Sequence, residues 1–187
     1  MVWLLGGRPY NRMFPFRKIN RRHLFSSEQR AAAFTLIEVM MSITIVSICI
    51  AAVVPRLQSS KRQAMASTVV NDLRTFTAAF EAYAQERGTF PAEVAAGVVP
   101  PEVADRLNNT AWKRPTPIGG HYNWDSGQTH YGVTYRAVIQ ISETSTSPMI
   151  QDLELWEVID KLMDDGNLLT GSFRLGAGDE PIYIIAQ

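Results

Sequence analysis

The chain has 187 residues, 46% of them hydrophobic and 19% charged, which suits one modest domain with an extension and excludes a chain disordered throughout. The formal net charge is zero, but residues 1–33 carry seven basic side chains and one acidic one, whereas residues 34–187 carry eleven basic and seventeen acidic ones. A basic start before an apolar run is typical of a segment kept on the cytoplasmic side of a membrane, and the acidic remainder argues against a nucleic-acid partner.

The basic segment does not fit the usual export signals well. An ordinary secretory signal has small residues after its apolar core, whereas here the three alanines at 31–33 come before it. Arg21 and Arg22 suggest a twin-arginine signal, but the polar residues 26–30 separate that pair from the apolar core. Both signal types, and a membrane anchor that is never cut, stay open as alternatives.

The next segment, residues 34–54, is apolar and holds a single ionisable side chain, Glu38. At about 1.5 Å per residue, a helix of this length crosses a hydrocarbon core of about 30 Å. A carboxylate inside such a helix costs roughly 2.5–3.5 kcal/mol, so a plain anchor would not keep it. We therefore predict a transmembrane helix in which Glu38 has a function and needs a partner. Cys49 lies in the same run and has no second cysteine for a disulfide.

The string AFTLIEVM at residues 33–40 resembles the cleavage and methylation motif of type IV prepilins and type II secretion pseudopilins, and the match extends over residues 33–57. The resemblance implies cleavage between Ala33 and Phe34, methylation of the new amine, and assembly through Glu38. It also implies that residues 1–33 are a removed leader peptide. The family usually has glycine where this chain has Ala33, and a start at Met13 would shorten the leader to 21 residues.

The same resemblance implies the partners and the location. The partners are the prepilin peptidase/N-methyltransferase, other pilin or pseudopilin subunits, and an inner-membrane assembly platform. The chain would cross the bacterial inner membrane once, through residues 34–55, with its N-terminus cytoplasmic and residues 56–187 periplasmic, and would later be extracted into a filament. The sequence has no nucleophile elbow, phosphate loop or dinucleotide fingerprint, so we do not expect an enzyme.

The helical pattern continues beyond the apolar run. Apolar residues recur at helical spacing at Leu57, Met65, Val69, Leu73, Phe76, Phe80 and Tyr83. We predict one helix over residues 34–88, with a kink near Pro55 and a stop at Gly88. Its apolar stripe is expected to pack on a C-terminal sheet.

The remaining residues predict a small antiparallel sheet. Residues 89–132 are rich in turn formers and are interpreted as a long connection with a short helix at 101–107. Strands are predicted at 133–141, 172–175 and 182–186, the last two as a hairpin, with a helix at 152–163. The fold class is thus α+β and pilin-like: a long N-terminal helix packed on a small antiparallel sheet, with a long loop and one extra helix.

The aromatic residues of the connection have two interpretations. Trp112, Tyr122, Trp124 and Tyr131 are predicted to pack onto the helix and sheet, and a carbohydrate-binding platform is the alternative. The strings PTPIGG at 115–120 and YNWD at 122–125 resemble a loop of type II secretion pseudopilins.

No cofactor is expected, and calcium is the alternative. Oxygen ligands for calcium are available in two turn regions of the C-terminal half, although their spacing is not that of an EF-hand. The candidates are Asp164, Asp165, Asn167, Asp179 and Glu180. The three histidines lack ligand spacing.

The predicted function is a pseudopilin of a type II secretion pseudopilus or a subunit of a type IV pilus-like filament. A minor or competence-type pilin is the alternative within the family. An uncleaved, membrane-tethered periplasmic binding protein is the alternative from another class. The sequence does not distinguish these filaments, a major from a minor subunit, or the secreted substrate.

Overall fold

A computed structural model describes residues 34–187. The chain divides into two compact units, Met1–Ile43 and Thr44–Gln187. Of the first unit, residues 34–43 are described, and they contain the start of the first helix. The predicted leader, including Ala33, lies outside the described residues.

The predicted long helix is confirmed as α1, Leu36–Arg87, which has 52 residues. It ends where the sequence places a glycine: the Gly88 N–H donates to the Ala84 carbonyl oxygen at 2.8 Å, and Gly88 has a φ of 74°. A positive φ is accessible to glycine without steric cost, so Gly88 is a suitable terminator. The helix runs through Pro55, and the bend expected there stays a prediction.

The described residues contain two further helices and six strands. Helix α2 is Asn109–Lys113 and α3 is Leu153–Met163, with short 3₁₀ turns at Pro101–Val103 and Ala177–Asp179. The strands are β1 His121–Asp125, β2 Thr129–His130, β3 Val133–Thr134, β4 Ala137–Ser142, β5 Phe173–Leu175 and β6 Pro181–Ala186. Four of them form an antiparallel sheet in the order β1-β4-β6-β5, and β2 pairs with β3 in a separate two-stranded ribbon. This confirms the α+β class and the C-terminal hairpin.

An aromatic cluster joins the second half of α1 to the sheet. Phe76 makes edge-on contacts with Trp112 and Tyr122, with ring centroids 4.9 Å apart in both pairs. Phe80 stacks on Trp124 at 3.8 Å. All five rings are fully buried. The predicted packing role of three of the four aromatics in the connection is therefore confirmed.

One carboxylate lies beside this cluster. Asp72 is 7% exposed, and its Oδ2 accepts from Arg114 Nη2 at 2.8 Å and from the Tyr122 hydroxyl at 3.2 Å. Burial, followed by the Asp72 charge, raises the pKa of Tyr122. Because a buried charge requires partners, Arg114 and Tyr122 make this position of α1 tolerable.

Helix α3 is fixed to α1 at both of its ends. Its N-cap is Asp152, and the cap carboxylate accepts from Arg62 Nε at 2.8 Å. At the other end, Arg74 Nη2 donates to the Leu162 carbonyl oxygen at 3.0 Å. The N-terminal end of α3 contacts residue 62 of α1, and its C-terminal end contacts residue 74. The two helices therefore run in the same direction.

Three details of the sequence-based prediction were wrong. The connection at 89–132 is not a plain loop, because β1 forms in it and pairs with β4. The strand predicted at 133–141 is two strands, interrupted where the Tyr135 N–H donates to the Gln128 carbonyl oxygen at 2.9 Å. Tyr131 is 70% exposed and lies in the turn between β2 and β3, so it does not belong to the buried core.

Two helix predictions also need correction. The predicted helix at 101–107 is only a 3₁₀ turn, and the α-helix lies further on, at α2, where the Asn108 side chain accepts from the Ala111 N–H. In α3, Leu153 is 58% exposed, whereas Leu155 is buried. The buried face of α3 therefore begins at Leu155 and not at Leu153.

Candidate functional site

The candidate processing and assembly site is built from the residues that open α1. Phe34 and Thr35 precede the helix, and Thr35 caps it. The Glu38 N–H donates to Thr35 Oγ1 at 3.2 Å and to the Thr35 carbonyl oxygen at 3.1 Å. Thr-x-x-Glu is the spacing of a capping box. This role of Thr35 was not predicted from the sequence, although the spacing signals it.

Glu38 lies in the first turn of α1 and is exposed. The N-terminal end of a helix carries a partial positive charge, which stabilises a carboxylate there by roughly 0.3–1 kcal/mol. The Ser42 hydroxyl donates to the Glu38 carbonyl oxygen at 2.8 Å, so this hydroxyl is satisfied within the helix. Glu38 lies four residues after Phe34, where the resemblance implies a new amine.

The surface around Glu38 is apolar and uncovered. Leu36 is 79% exposed, Ile37 60% and Met41 60%. The helix has a mean hydropathy of 2.4 over an 18-residue window, with none of that window buried, and it is long and apolar enough to cross a membrane. Exposed apolar surface of this extent requires lipid or other chains around it.

The calcium candidates fall into two groups, each engaged in local hydrogen bonds. Asp165 accepts from the Asn167 N–H at 2.9 Å and from the Thr170 hydroxyl at 2.7 Å, and Asp164 accepts from the Ser172 N–H. The Asn167 side chain accepts from the Leu169 N–H at 3.2 Å. These bonds account for the acids of this loop as turn-forming groups.

The other two candidates lie near the β5–β6 turn. Asp179 accepts from the Tyr131 hydroxyl at 3.3 Å, and Glu180 accepts from Gln140 Nε2 and, at 2.8 Å, from the Glu143 N–H. Within residues 34–187, no group of three or more histidine, cysteine, aspartate or glutamate side chains has a geometry that could hold a metal ion.

Two further acids of the folded unit are perturbed by burial. Burial, together with the Asp165 and Asp164 charges, raises the pKa of Asp160 to about 6. Burial, together with the Glu93 charge, raises the pKa of Asp125 to about 6. Neither lies in the segment that opens α1, so they bear on the stability of the fold.

Comparison with known proteins bears on the N-terminal segment. A family described as the prokaryotic N-terminal methylation motif matches residues 29–54. The N-terminal segment of the chain therefore carries this motif. The match includes Ala33, Phe34 and Glu38, and it confirms the motif predicted from the sequence; the roles of these three residues stay predictions.

The chain also resembles a solved structure. The major type IV pilin PilA1 from Clostridium difficile is 13% identical, with a TM-score of 0.48, and the alignment covers 69% of this chain and 99% of that one. No curated protein sequence matches the chain.

Proposed function

We propose that the protein is a structural subunit of a type II secretion pseudopilus or a type IV pilus-like filament. In this proposal a prepilin peptidase cuts between Ala33 and Phe34 and methylates the new amine. Glu38 then guides the mature subunit into the filament. The observation that carries the proposal is the methylation motif at the start of a helix whose first half is apolar and exposed and whose first turn holds one carboxylate.

The role of Glu38 follows from the cost of placing a charge among packed apolar helices. Cleavage would create a cationic amine at Phe34. A carboxylate in a packed core needs a countercharge, and the amine of a neighbouring subunit would supply it. Because both charges lie at one end of the helix, pairing between subunits would set the axial register of each incoming chain.

The choice between the two filaments rests on weaker features. Cys49 is the single cysteine of the chain, so the head cannot close a C-terminal loop by a disulfide, as some type IV pilins do. That favours a pseudopilin. The partners in either case would be the peptidase, other pilin or pseudopilin subunits and an inner-membrane assembly platform.

The charge distribution supports an orientation. Residues 1–33 carry seven basic side chains, and positively charged flanks are retained in the cytoplasm. The leader and the cleavage site would then face the cytoplasm, and residues 56–187 the periplasm. Cleavage would precede extraction of α1 from the inner membrane.

Intact mass and N-terminal sequencing of the membrane-extracted protein test the processing step. We expect a mature chain that begins at Phe34 and carries one added methyl group. Replacing Ala33 by Glu removes the small residue before the cut and should leave the full-length chain. An uncut wild-type chain in its native host would overturn the proposal and favour the membrane-tethered binding protein.

Filament incorporation tests the role of Glu38. Glu38→Ala should be cleaved but absent from sheared filaments, and Glu38→Gln should behave like it, since both lack the charge. Glu81→Ala is the matched control, because Glu81 is an exposed acid of α1 outside the apolar segment. Normal incorporation of the Glu38 variants would show that the carboxylate has no part in assembly.

A further inference from the structure

A cavity of about 230 Å³ lies between the β2–β3 ribbon and the β5–β6 end of the sheet. We call it the ribbon cavity and define it by His130, Tyr131, Leu169, Arg174, Asp179 and Ile182. It lies wholly within residues 44–187, far along the chain from the methylation motif. Nothing in the proposed filament role requires it.

The histidine of the ribbon cavity has a defined tautomer and an unused donor. His130 is 6% exposed, and its Nδ1 accepts from the Ala177 N–H at 3.2 Å. An Nδ1 that accepts leaves the proton of the neutral ring on Nε2. Burial lowers the pKa of His130, which favours the neutral ring. Its Nε2 is buried and has no hydrogen-bonding partner within residues 34–187.

The arginine of the cavity adds a positive charge and a second donor. The Arg174 guanidinium lies over the Tyr135 ring at 5.8 Å from its centroid. Its Nε is buried and, in the described part of the chain, has no hydrogen-bonding partner. A buried N–H without an acceptor destabilises the fold. Both side chains line the ribbon cavity, so both donors are available to an acceptor from outside the chain.

The mouth of the cavity holds an unusual turn residue. Tyr131 and Gly132 join β2 to β3, and both have positive φ, 47° and 82°. Asparagine or aspartate is usual at the first of these positions, since a tyrosine there is strained. The Tyr131 hydroxyl donates to Asp179 at 3.3 Å across the mouth, and Asp179 also has a positive φ, 59°. Strained backbone of this kind is found at ligand clamps.

We infer that the ribbon cavity binds a carboxylate attached to a small aliphatic group. Arg174 and the Nε2–H of His130 would hold the carboxylate, and Leu169 and Ile182 would contact the aliphatic part. Among residues 34–187, Asp179 is the one acid that lines the cavity, and its carboxylate accepts from the Tyr131 hydroxyl at the mouth. Arginine is the side chain best suited to a planar carboxylate.

Histidine NMR of the full chain in detergent micelles, selectively labelled with ¹⁵N in histidine, tests the inference. The chain has three histidines, so His121 serves as an internal reference. The probes are isovalerate, a free acid, and N-acetyl-alanyl-leucine, a peptide with a free C-terminus, each beside its amide. We expect at least one acid to shift the His130 Nε2 resonance and to bind about tenfold more tightly than its amide. Which acid binds distinguishes a free metabolite-like acid from a peptide end.

Two arginine variants sharpen the test. Arg174→Gln should weaken acid binding about tenfold and leave amide binding unchanged. Arg136→Gln, which replaces an exposed arginine outside the cavity, should change neither. Equal affinity for acids and amides, or no shift of His130 with either acid at millimolar concentration, would overturn the inference. The comparison of acid with amide in the wild-type chain decides this even where a variant fails to fold.

Discussion

The two halves of α1 differ in what covers their apolar side chains. In residues 34–57 the large apolar side chains are between 43% exposed, at Val54, and 79% exposed, at Leu36. In residues 66–80 the apolar stripe is covered, and Leu73, Phe76 and Phe80 are fully buried. The same helix thus changes from a surface that needs a foreign environment to one completed by the chain itself.

The difference lies in pattern rather than in hydrophobicity alone. The first half is apolar on every side, so no single partner face within a small domain could cover it. The second half confines its apolar residues to one stripe and adds large aromatic rings, which the sheet and α2 cover. An all-round apolar helix is therefore suited to lipid or to neighbouring helices, and a striped one to a core.

The largest expected effect comes from deleting one ring of the covered half. Phe76→Ala removes contacts with both Trp112 and Tyr122, and it should lower the free energy of unfolding by about 3–5 kcal/mol. Ile48→Ala is the counterpart in the exposed half, since Ile48 is 66% exposed. It should leave the unfolding of the head unchanged in detergent.

Thermal unfolding followed by near-ultraviolet circular dichroism measures both variants, because the signal comes from the aromatic cluster. A similar loss of stability in the two variants would contradict the division of α1 into two functional halves. So would a fully stable Phe76→Ala protein.

A second variant tests the charge within the covered half. Asp72→Asn keeps the shape of the side chain but weakens the hydrogen bonds from Arg114 and Tyr122. Since Arg114 is half exposed, solvent screens much of its attraction. We expect a loss of about 1–3 kcal/mol, most of it from the buried Tyr122 bond. A double-mutant cycle with Tyr122→Phe measures the coupling energy between Asp72 and Tyr122. A coupling energy near zero would contradict the expectation that this hydrogen bond carries most of the loss.

The contrast between the halves of α1 also explains which parts of the fold could be predicted from the sequence. Glu38, the apolar run and the stripe ending at Gly88 are regular and local, so α1 and the candidate site could be predicted. Strand β1 could not, because His121–Asp125 follows a turn-rich segment and becomes a strand only by pairing with β4, twelve residues further on. The ribbon cavity likewise depends on the meeting of residues 130 and 174, which no local pattern signals.

The buried carboxyl group of Asp160 should make the stability of the fold depend on pH. Burial raises the pKa of Asp160 to about 6, above its unfolded value of about 3.9. A raised pKa means that the folded chain prefers the protonated form. The contribution of protonated Asp160 to the free energy of unfolding is therefore present below about pH 4 and is lost as the pH rises through about 6. Asp160→Asn should stabilise the fold at about pH 7 by roughly 1–2 kcal/mol and have little effect at about pH 4.

Urea unfolding at several pH values, wild type beside variant, checks this prediction. Asp125 has a pKa raised to about 6 by burial as well, but it titrates in both proteins, so the difference between them isolates Asp160. A variant less stable than the wild type at neutral pH would mean that the Asp160 carboxylate is a favourable ion there.

The smallest expected effect is at the start of the exposed half, and it tests whether this end of α1 is held by its own cap. Thr35→Val keeps the branched shape but removes the hydroxyl that accepts from the Glu38 N–H, which should cost about 1 kcal/mol locally. Amide hydrogen exchange at Glu38 in micelles should accelerate. Ser42→Ala is the control, because the Ser42 hydroxyl donates to the Glu38 carbonyl oxygen and does not contact the Glu38 N–H, and it should leave this exchange rate unchanged.

The carboxylate proposed to meet a neighbouring amine lies in this capped turn. A frayed helix end would leave its position less well defined, so filaments of the Thr35 variant should form more slowly without being abolished. Unchanged exchange at Glu38 would mean that the surrounding lipid or detergent, and not Thr35, keeps the first turn helical.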